Sequence, residues 1–257
     1  MINQEGGFKT PASKSKSEVS HNKNRASFKK IMSYLSALGP KYKPSNPELT
    51  LDNLNKSYED AGAVMAACKA SFSNANAAIS HRRKVFKPIK RLGTRMVNVL
   101  MCSPVSAEAI EDARRAQRII QGYRMKTAKD EKNLATDEEP IETKVAIQQS
   151  YDSLLEHFTS LKIIVTAHSE YGPHEKDLTV ASLDRYEIEL QLANDEVVKA
   201  NVALENARIV RDQALYEYRT GLTELGKAAK GYCAQLLGAD SKMFKRIDSV
   251  RFIRMDW

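Results

Sequence analysis

Residues 183–218 read LDRYEIELQLANDEVVKANVALENARIVRDQALYEY, and apolar or small side chains recur in them alternately three and four positions apart. This spacing is typical of a helix that packs against another helix along a coiled-coil seam. One seam position holds a large residue, and the other holds alanine at every seventh residue, which lets a neighbouring helix approach closely. We predict an all-α fold in which this face packs tightly through Leu183, Leu190, Ala193, Val197, Ala200, Leu204, Ala207 and Ala214.

A turn with the pattern Tyr-x-Pro-x4-Leu-Thr-x3-Leu precedes this helix and occurs twice in the chain. Residues 42–54 read YKPSNPELTLDNL, and residues 171–183, 129 positions later, read YGPHEKDLTVASL. Each copy follows a short amphipathic helix and starts a much longer one, where Thr50 and Thr179 are expected to cap the first turn. The sequence therefore predicts an elongated antiparallel helical bundle built from a duplicated helix, turn and long-helix unit with coiled-coil-like packing.

Composition divides the chain further. Pro88 is expected to interrupt the first long helix, and glycines from Gly221 onward are expected to bend the second near its end. Ser103 is the expected N-cap of a following helix with Pro104 in its first turn. Residues 250–252 alternate and fit either one short strand or an extended docking segment. The predicted segments are a flexible basic arm (1–25), a first helical repeat (26–125), a charged linker (126–140), a second helical repeat (141–238) and a basic, aromatic C-terminal tail (239–257).

Length and composition exclude several classes of protein. The 257 residues carry 40 Lys and Arg against 32 Asp and Glu, a net charge of +8, with 42% hydrophobic residues and a mean hydropathy of −0.48. This composition excludes a collagen, a mucin and a wholly disordered chain. No uncharged apolar run approaches the roughly 20 residues that span a bilayer, and the N-terminus lacks the apolar region of a secretory signal. We therefore expect a cytoplasmic location.

Catalytic and metal-binding signatures are missing from the sequence. It contains no P-loop, no dinucleotide-binding glycine motif, no zinc-protease helix motif and no nucleophile elbow. The three cysteines are widely separated, which indicates reduced thiols rather than a disulfide framework or a zinc ribbon. His168 and His174 flank a predicted turn, and we expect no metal between them. The sequence predicts neither an enzyme nor a bound cofactor or metal.

Charge is distributed unevenly along the chain. Residues 1–47 and 48–130 each carry a net charge of +7, whereas residues 131–257 carry −6. The stretch 81–95, HRRKVFKPIKRLGTR, contains seven Lys or Arg and no acid, and a second basic cluster follows it. The predicted binding residues for a polyanion or an acidic partner are Arg82, Arg83, Lys84, Lys87, Lys90, Arg91, Arg95, Arg114, Arg115 and Arg118.

Two interpretations of these cations stay open. Counterion release would let them bind nucleic acid without reading its sequence. The cations of the flexible arm and of the helix after it would add to the contact, namely Lys9, Lys14, Lys16, Lys23, Arg25, Lys29 and Lys30. Alternatively, they pair with the acidic second half of the chain, within the molecule or in the next subunit. Arg82 and Arg211 also fall on seam positions, where a buried guanidinium is costly unless it is paired. Each is expected to reach solvent or a carboxylate of the facing helix, and a role in fixing the helix register is the alternative.

The repeated turn, the alanine-rich long helix and the segment 237–245, LGADSKMFK, together resemble a group of uncharacterised bacterial alanine-rich helical-bundle proteins. In that group a Tyr-x-Pro-x4-Leu-Thr turn introduces a long helix, and a Gly-x-x-Ser-x-x-Tyr/Phe-Lys segment closes the chain. The resemblance covers about 150 residues from Tyr42 onward. It implies an all-α fold and brings no activity, cofactor or ligand with it.

The sequence favours a non-enzymatic structural or scaffolding protein that acts by protein-protein association, with itself or with another protein. The repeated unit, the alanine seam and the charge asymmetry support this hypothesis. The alternative is sequence-independent nucleic-acid binding through the basic arm and residues 82–95. A third hypothesis is a membrane-surface or pore-forming helical protein, with a membrane as the least favoured partner. No small-molecule substrate is evident.

Overall fold

The structure is a computed structural model that describes residues 18–123 and 150–253. Every regular element in these ranges is a helix, which confirms the predicted all-α fold. Two short 3-10 turns, Gly39–Lys41 and Pro47–Leu49, lie between the first two α-helices. The α-helices are α1 (Glu18–Ala37), α2 (Leu51–Phe86), α3 (Ile89–Met101), α4 (Ala107–Gln121), α5 (Tyr151–Thr166), α6 (Val180–Tyr216), α7 (Leu222–Leu237) and α8 (Lys242–Asp248).

The chain forms two compact units. Met1–Phe72 and Ala203–Trp257 form the first, here called the terminal unit, and Ser73–Val202 form the second, here called the central unit. The unit boundaries fall inside the long helices α2 and α6. Each unit thus combines the beginning of one predicted repeat with the end of the other, whereas the repeat boundaries at 26–125 and 141–238 stay a prediction. The predicted linker, 126–140, lies outside the described residues.

In the terminal unit, α7 packs against α1, α8 and the second 3-10 turn. Apolar residues at helical spacing on α1 form the centre of this core, because Phe28, Ile31 and Leu35 are each at most 1% exposed. They meet a second apolar row on α7, which includes Leu222, Leu225, Ala229 and Cys233.

In the central unit, α3, α4 and α5 pack against one another. Gly93 allows α3 and α5 to approach closely, because a Cβ at this position would lie 3.3 Å from Leu161 Cδ2. Fully buried side chains from all three helices surround it, including Met96, Leu100, Ile120, Phe158 and Leu161.

The two copies of the repeated turn make the same buried hydrogen bond. The Tyr42 hydroxyl donates to the Leu49 carbonyl oxygen at 2.7 Å, and the Tyr171 hydroxyl donates to the Leu178 carbonyl oxygen at 3.0 Å. The expected caps occupy the position before each long helix, but their hydroxyls donate rather than accept. Thr50 Oγ1 donates to the Pro47 carbonyl and Thr179 Oγ1 to the Lys176 carbonyl, so each threonine closes the turn instead of capping the first-turn amides.

The predicted seam of α6 faces inward. Leu183, Leu190, Ala193, Val197 and Leu204 are buried, and Ala200, Ala207 and Ala214 are half-buried. In the central unit α6 contacts α2, because the Tyr186 hydroxyl donates to the Val85 carbonyl at 2.8 Å. In the terminal unit the same pair of helices meets where Arg211 Nη1 lies 3.7 Å from Cys68 Sγ.

Helix breaks follow the predicted residues, with one correction. Pro88 separates α2 from α3, and Gly221 is the N-cap of α7. The cap of α4 is Ser106 and not Ser103, because Ser106 accepts from the Ala109 amide, whereas Ser103 Oγ donates to the Val99 carbonyl. The helix therefore begins at Ala107, after Pro104 rather than with it.

The predicted flexible basic arm, residues 1–25, extends too far along the chain. Residues 1–17 lie outside the described residues, but α1 already begins at Glu18, and both His21 and Asn24 are buried. Asn24 is buried because its amide exchanges two hydrogen bonds with the backbone of Ile253 in the C-terminal tail, at 3.0 and 2.6 Å. Within the described residues this tail forms α8 and then the extended docking segment, with no strand.

None of the helices in the described ranges is both long enough and apolar enough to cross a membrane.

Loss of a turn hydroxyl should destabilise the protein. In Tyr42→Phe and Tyr171→Phe a buried carbonyl loses its donor, which should lower the free energy of unfolding by about 1 kcal/mol each. Urea denaturation followed by circular dichroism measures the change. Tyr34→Phe is the matched control, because no hydrogen bond joins the Tyr34 hydroxyl to the described residues. Equal stability of all three variants would contradict this role.

Alkaline pH should weaken the central unit through Tyr171. Burial raises the pKa of Tyr171 to about 12 from its ordinary value of 10.0. Because the unfolded tyrosine loses its proton first, the stability from the neutral hydroxyl is complete below pH 10 and is lost as the pH rises toward 12. Wild type should therefore lose stability between pH 10 and 12 more steeply than Tyr171→Phe in urea titrations. Parallel losses in the two proteins would show that Tyr171 does not contribute.

Candidate partner-binding surface

The basic segment continues from the last turn of α2 into α3. Pro88 ends the ladder of α2 hydrogen bonds, so the chain turns before α3 begins and its cations extend along two helices rather than one. The side chains of Arg83, Lys84, Lys87, Lys90 and Arg91 are all exposed.

Polar contacts join α3 to α4 and place the second basic cluster beside the first. Lys90 Nζ donates to the Gln121 carbonyl at 3.1 Å, and Gln121 Nε2 donates back to the Lys90 carbonyl at 2.9 Å. Gln117 Nε2 donates to Thr94 Oγ1 at 3.0 Å. At the other end of this pair, Arg114 Nη2 lies 3.5 Å from Met101 Sδ. Two clusters that are separate in sequence therefore lie on one pair of packed helices.

Two of the predicted cations form ion pairs. Arg95 binds both carboxylate oxygens of Asp177, with 3.0 Å from Nη2 to Oδ1, and its guanidinium holds the pKa of Asp177 below its usual value. Arg115 Nη1 lies 3.9 Å from Asp112 Oδ1 on the same helix. Among the described residues, the Arg95 pair is the one Lys or Arg ion pair that joins the basic segment to the acidic second half of the chain.

Arg82 is half-buried and packs against an aromatic ring. Its guanidinium carbon lies 4.1 Å from the centre of the Tyr151 ring. Its Nε is buried and has no hydrogen-bond partner among the described residues. Arg82 is half-buried, so it keeps access to solvent as expected, and the face of an aromatic ring packs on its guanidinium.

Arg211, the corresponding seam arginine, belongs to the terminal unit and is 7% exposed. Its Nε donates to Asp212 Oδ1 at 2.7 Å. A carboxylate from the next residue of the same helix thus accompanies this buried guanidinium.

Seven predicted cations remain after these assignments, and we call them the cationic surface. Each is exposed, and none has a carboxylate within 4.0 Å in the part of the chain that the structure describes. They are Arg83, Lys84, Lys87, Lys90, Arg91, Arg114 and Arg118.

Acidic residues on the same unit are also left unpaired. Some carboxylates on α6 do have partners, because Lys162 contacts Asp184 and Glu187, and His81 Nδ1 lies 3.0 Å from Glu196 Oε2. Five others on α5, α6 and the turn between them are exposed and have, among the described residues, neither a cation within 4.0 Å nor a hydrogen bond to the carboxylate. We call them the acidic set: Glu156, Glu170, Glu175, Glu189 and Asp195.

Three further cations, which were expected to extend the nucleic-acid contact, do not belong to the cationic surface. They are Arg25, Lys29 and Lys30, which belong to the terminal unit and line a cavity beside α1. Their spacing of four and five residues on a helix is the signal that could have grouped them. No cluster of three His, Cys, Asp or Glu side chains suited to a metal occurs in residues 18–123 and 150–253.

Comparison with known proteins does not assign this surface. No protein-family model, no curated protein and no solved structure matches the chain. The resemblance to bacterial alanine-rich helical proteins stays a prediction.

Arg82 and Tyr151 should be energetically coupled. In a double-mutant cycle of Arg82→Met, Tyr151→Leu and the double variant, we expect a coupling of about 1 kcal/mol from the cation–π contact. Urea denaturation of the four proteins measures it. Arg83→Met is the control, because the exposed Arg83 should change stability by less than about 0.5 kcal/mol. Additive single effects would show that the ring does not hold the guanidinium.

Proposed function

We propose that the protein is a non-enzymatic helical scaffold that associates with copies of itself, the cationic surface of one copy binding the acidic set of the next. The observation that carries this proposal is the presence of both unpaired charge sets on the same compact unit. Within the described residues Arg95 and Asp177 form the one Lys or Arg ion pair that links the basic helices α2 to α4 with the second half. Charges that find no partner inside the unit are available to a neighbouring molecule.

Electrostatic complementarity of this kind gives specificity and fast association more than affinity. Exposed ion pairs are screened by salt, because the Debye length falls from about 30 Å at 0.01 M to about 3 Å at 1 M salt. Association should therefore depend on ionic strength. Because the two surfaces differ, the contact is head-to-tail and repeats from copy to copy, forming a ring or a filament.

Apolar area for such a contact is present on the outer side of α6. Within the central unit, four aliphatic side chains lie on the face opposite the buried seam, and each is 56–61% exposed. They are Ile188, Leu192, Val198 and Val202, and Asp195 of the acidic set lies on the same face. Burial of these side chains would add the apolar core that stable interfaces contain.

Nucleic-acid binding is the second candidate function, and the lack of acids in residues 81–95 favours it. Seven exposed cations on α2, α3 and α4 could neutralise backbone phosphates without contacting bases. Both candidates use the same side chains, so an experiment must change the acidic set as well.

A cytoplasmic location belongs to the proposal. Its support is the state of the three cysteines, which are free thiols with Cys68 and Cys233 buried and Cys102 exposed. An exposed free thiol fits a reducing compartment.

Reciprocal charge reversal tests the scaffold. One variant carries Lys84→Glu, Lys87→Glu and Arg91→Glu, and the other carries Glu156→Lys, Glu189→Lys and Asp195→Lys. Size exclusion with light scattering at about 50 mM and about 500 mM salt, with absorbance at 260 and 280 nm, measures mass and bound nucleic acid. Each variant alone should lose association at low salt, and an equimolar mixture should regain it, because opposite reversals restore complementary surfaces.

A control variant with Lys56→Glu and Lys69→Glu, two exposed lysines of the terminal unit, should associate like wild type. A monomer that carries nucleic acid at low salt and releases it at high salt would favour the second candidate. The acid-reversed variant should then bind nucleic acid more tightly. An oligomer that neither reversal affects would contradict both functions for this surface.

A further inference from the structure

A cavity of about 400 Å³ lies beside α1 in the terminal unit, and none of its lining residues belongs to the cationic surface. It is open to solvent, because most of its lining side chains lie on the exposed face of α1. Three of its lining residues are cations, Arg25, Lys29 and Lys30, and three are neutral polar side chains, Asn22, Ser33 and Tyr58. No carboxylate of the described residues lines it, although Glu59 and Asp60 directly follow Tyr58.

Arg25 is held in a defined position in this cavity. Its guanidinium carbon lies 4.0 Å from the centre of the Tyr58 ring, and its Nε donates to the Tyr58 carbonyl at 3.4 Å. Its Nη groups have no hydrogen-bond partner among the described residues. A guanidinium fixed against a ring keeps its planar donors ready for an anion, because little side-chain entropy is lost on binding.

Gly62 makes this position of Arg25 accessible. A Cβ at Gly62 would lie 2.8 Å from Arg25 Cζ and closer still to Nη2. Glycine inside an α-helix is destabilising relative to alanine, so Gly62 is costly where it stands on α2. Because Gly62 has no side chain, the Arg25 guanidinium can lie close to the backbone of α2.

The lysines complete the positive lining. Lys29 Nζ lies 5.8 Å from the centre of the same Tyr58 ring, and Lys30 follows it on α1. Neither lysine has a carboxylate within 4.0 Å in the described ranges. Three unpaired cations around one cavity exceed what a single carboxylate needs and match a doubly charged group, whose oxygens a planar guanidinium can bind in pairs.

We propose that this cavity binds the phosphate group of a small molecule. Arg25 supplies the oriented donors, and Lys29 and Lys30 supply the remaining positive charge. This site is independent of the scaffold, because it uses another unit and other residues.

Isothermal titration of the full chain with pyrophosphate tests the site. Wild type should bind in a saturable manner at one site in the terminal unit. Gly62→Ala should weaken binding by about tenfold or more, because the new methyl group displaces the guanidinium and its charged hydrogen bonds. Its melting temperature should be unchanged or higher, since alanine favours the helix and the displaced atoms are the flexible end of a side chain.

Two more variants make the result decisive. Arg25→Gln should weaken pyrophosphate binding as strongly as Gly62→Ala. If Gly62→Ala melts at a lower temperature than wild type, its loss of binding could come from destabilisation, and Arg25→Gln then provides the test. A variant with Lys84→Gln and Lys87→Gln removes charge from the cationic surface and should bind pyrophosphate like wild type. The proposal is overturned if wild type does not bind, if Arg25→Gln binds normally, or if the control loses binding equally.

Discussion

A tyrosine hydroxyl that donates to a leucine carbonyl seven residues later determines where each long helix begins. The bond closes the Tyr42 turn before α2 and the Tyr171 turn before α6. Once the first residue of a helix is fixed, its rotation is fixed as well, because side chains repeat every 3.6 residues. Leu54 and Leu183, four residues after the two threonines, are therefore both fully buried, and the seams that follow them face inward.

The inward seams also decide where the charges lie. With alanine, valine and leucine on the buried side, most charged side chains of α2 and α6 are left on the outer sides. Exceptions such as Arg82 and Arg211 receive a ring or a carboxylate as partner, in keeping with the cost of a bare buried charge. Exposed cations without acids between them extend from the last turn of α2 into α3, carboxylates outnumber cations on α6, and α4 carries both signs.

Periodic patterns predicted the all-α fold well, because the spacing of apolar residues along a helix determines which of its faces packs. The seam of α6, the break at Pro88 and the paired turns were all visible in the sequence.

Local patterns failed where a partner is distant in sequence. Asn24 looks like part of a polar arm until Ile253 binds its amide, and Arg82 looks like one more surface cation until Tyr151 covers it. Ser103 and Ser106 are equally good caps by residue type, and only the backbone geometry separates them. The cavity at Arg25 depends on Gly62, which lies on another helix. A pattern within one helix therefore could not reveal it, and the sequence pointed only to the basic segment near residue 90.

The two units differ in how their chain segments are ordered. Ser73–Val202 is continuous, whereas the terminal unit joins segments that lie more than 130 residues apart. During synthesis on a ribosome, the central unit has all of its residues before α7 and α8 exist. The α1 helix, by contrast, exposes Phe28 and Ile31 until α7 arrives to cover them, and the unit is closed only when Ile253 reaches Asn24. Vectorial synthesis thus leaves the N-terminal helix as the last part of the chain to find its partners, and its apolar face is the surface that needs protection in the growing chain.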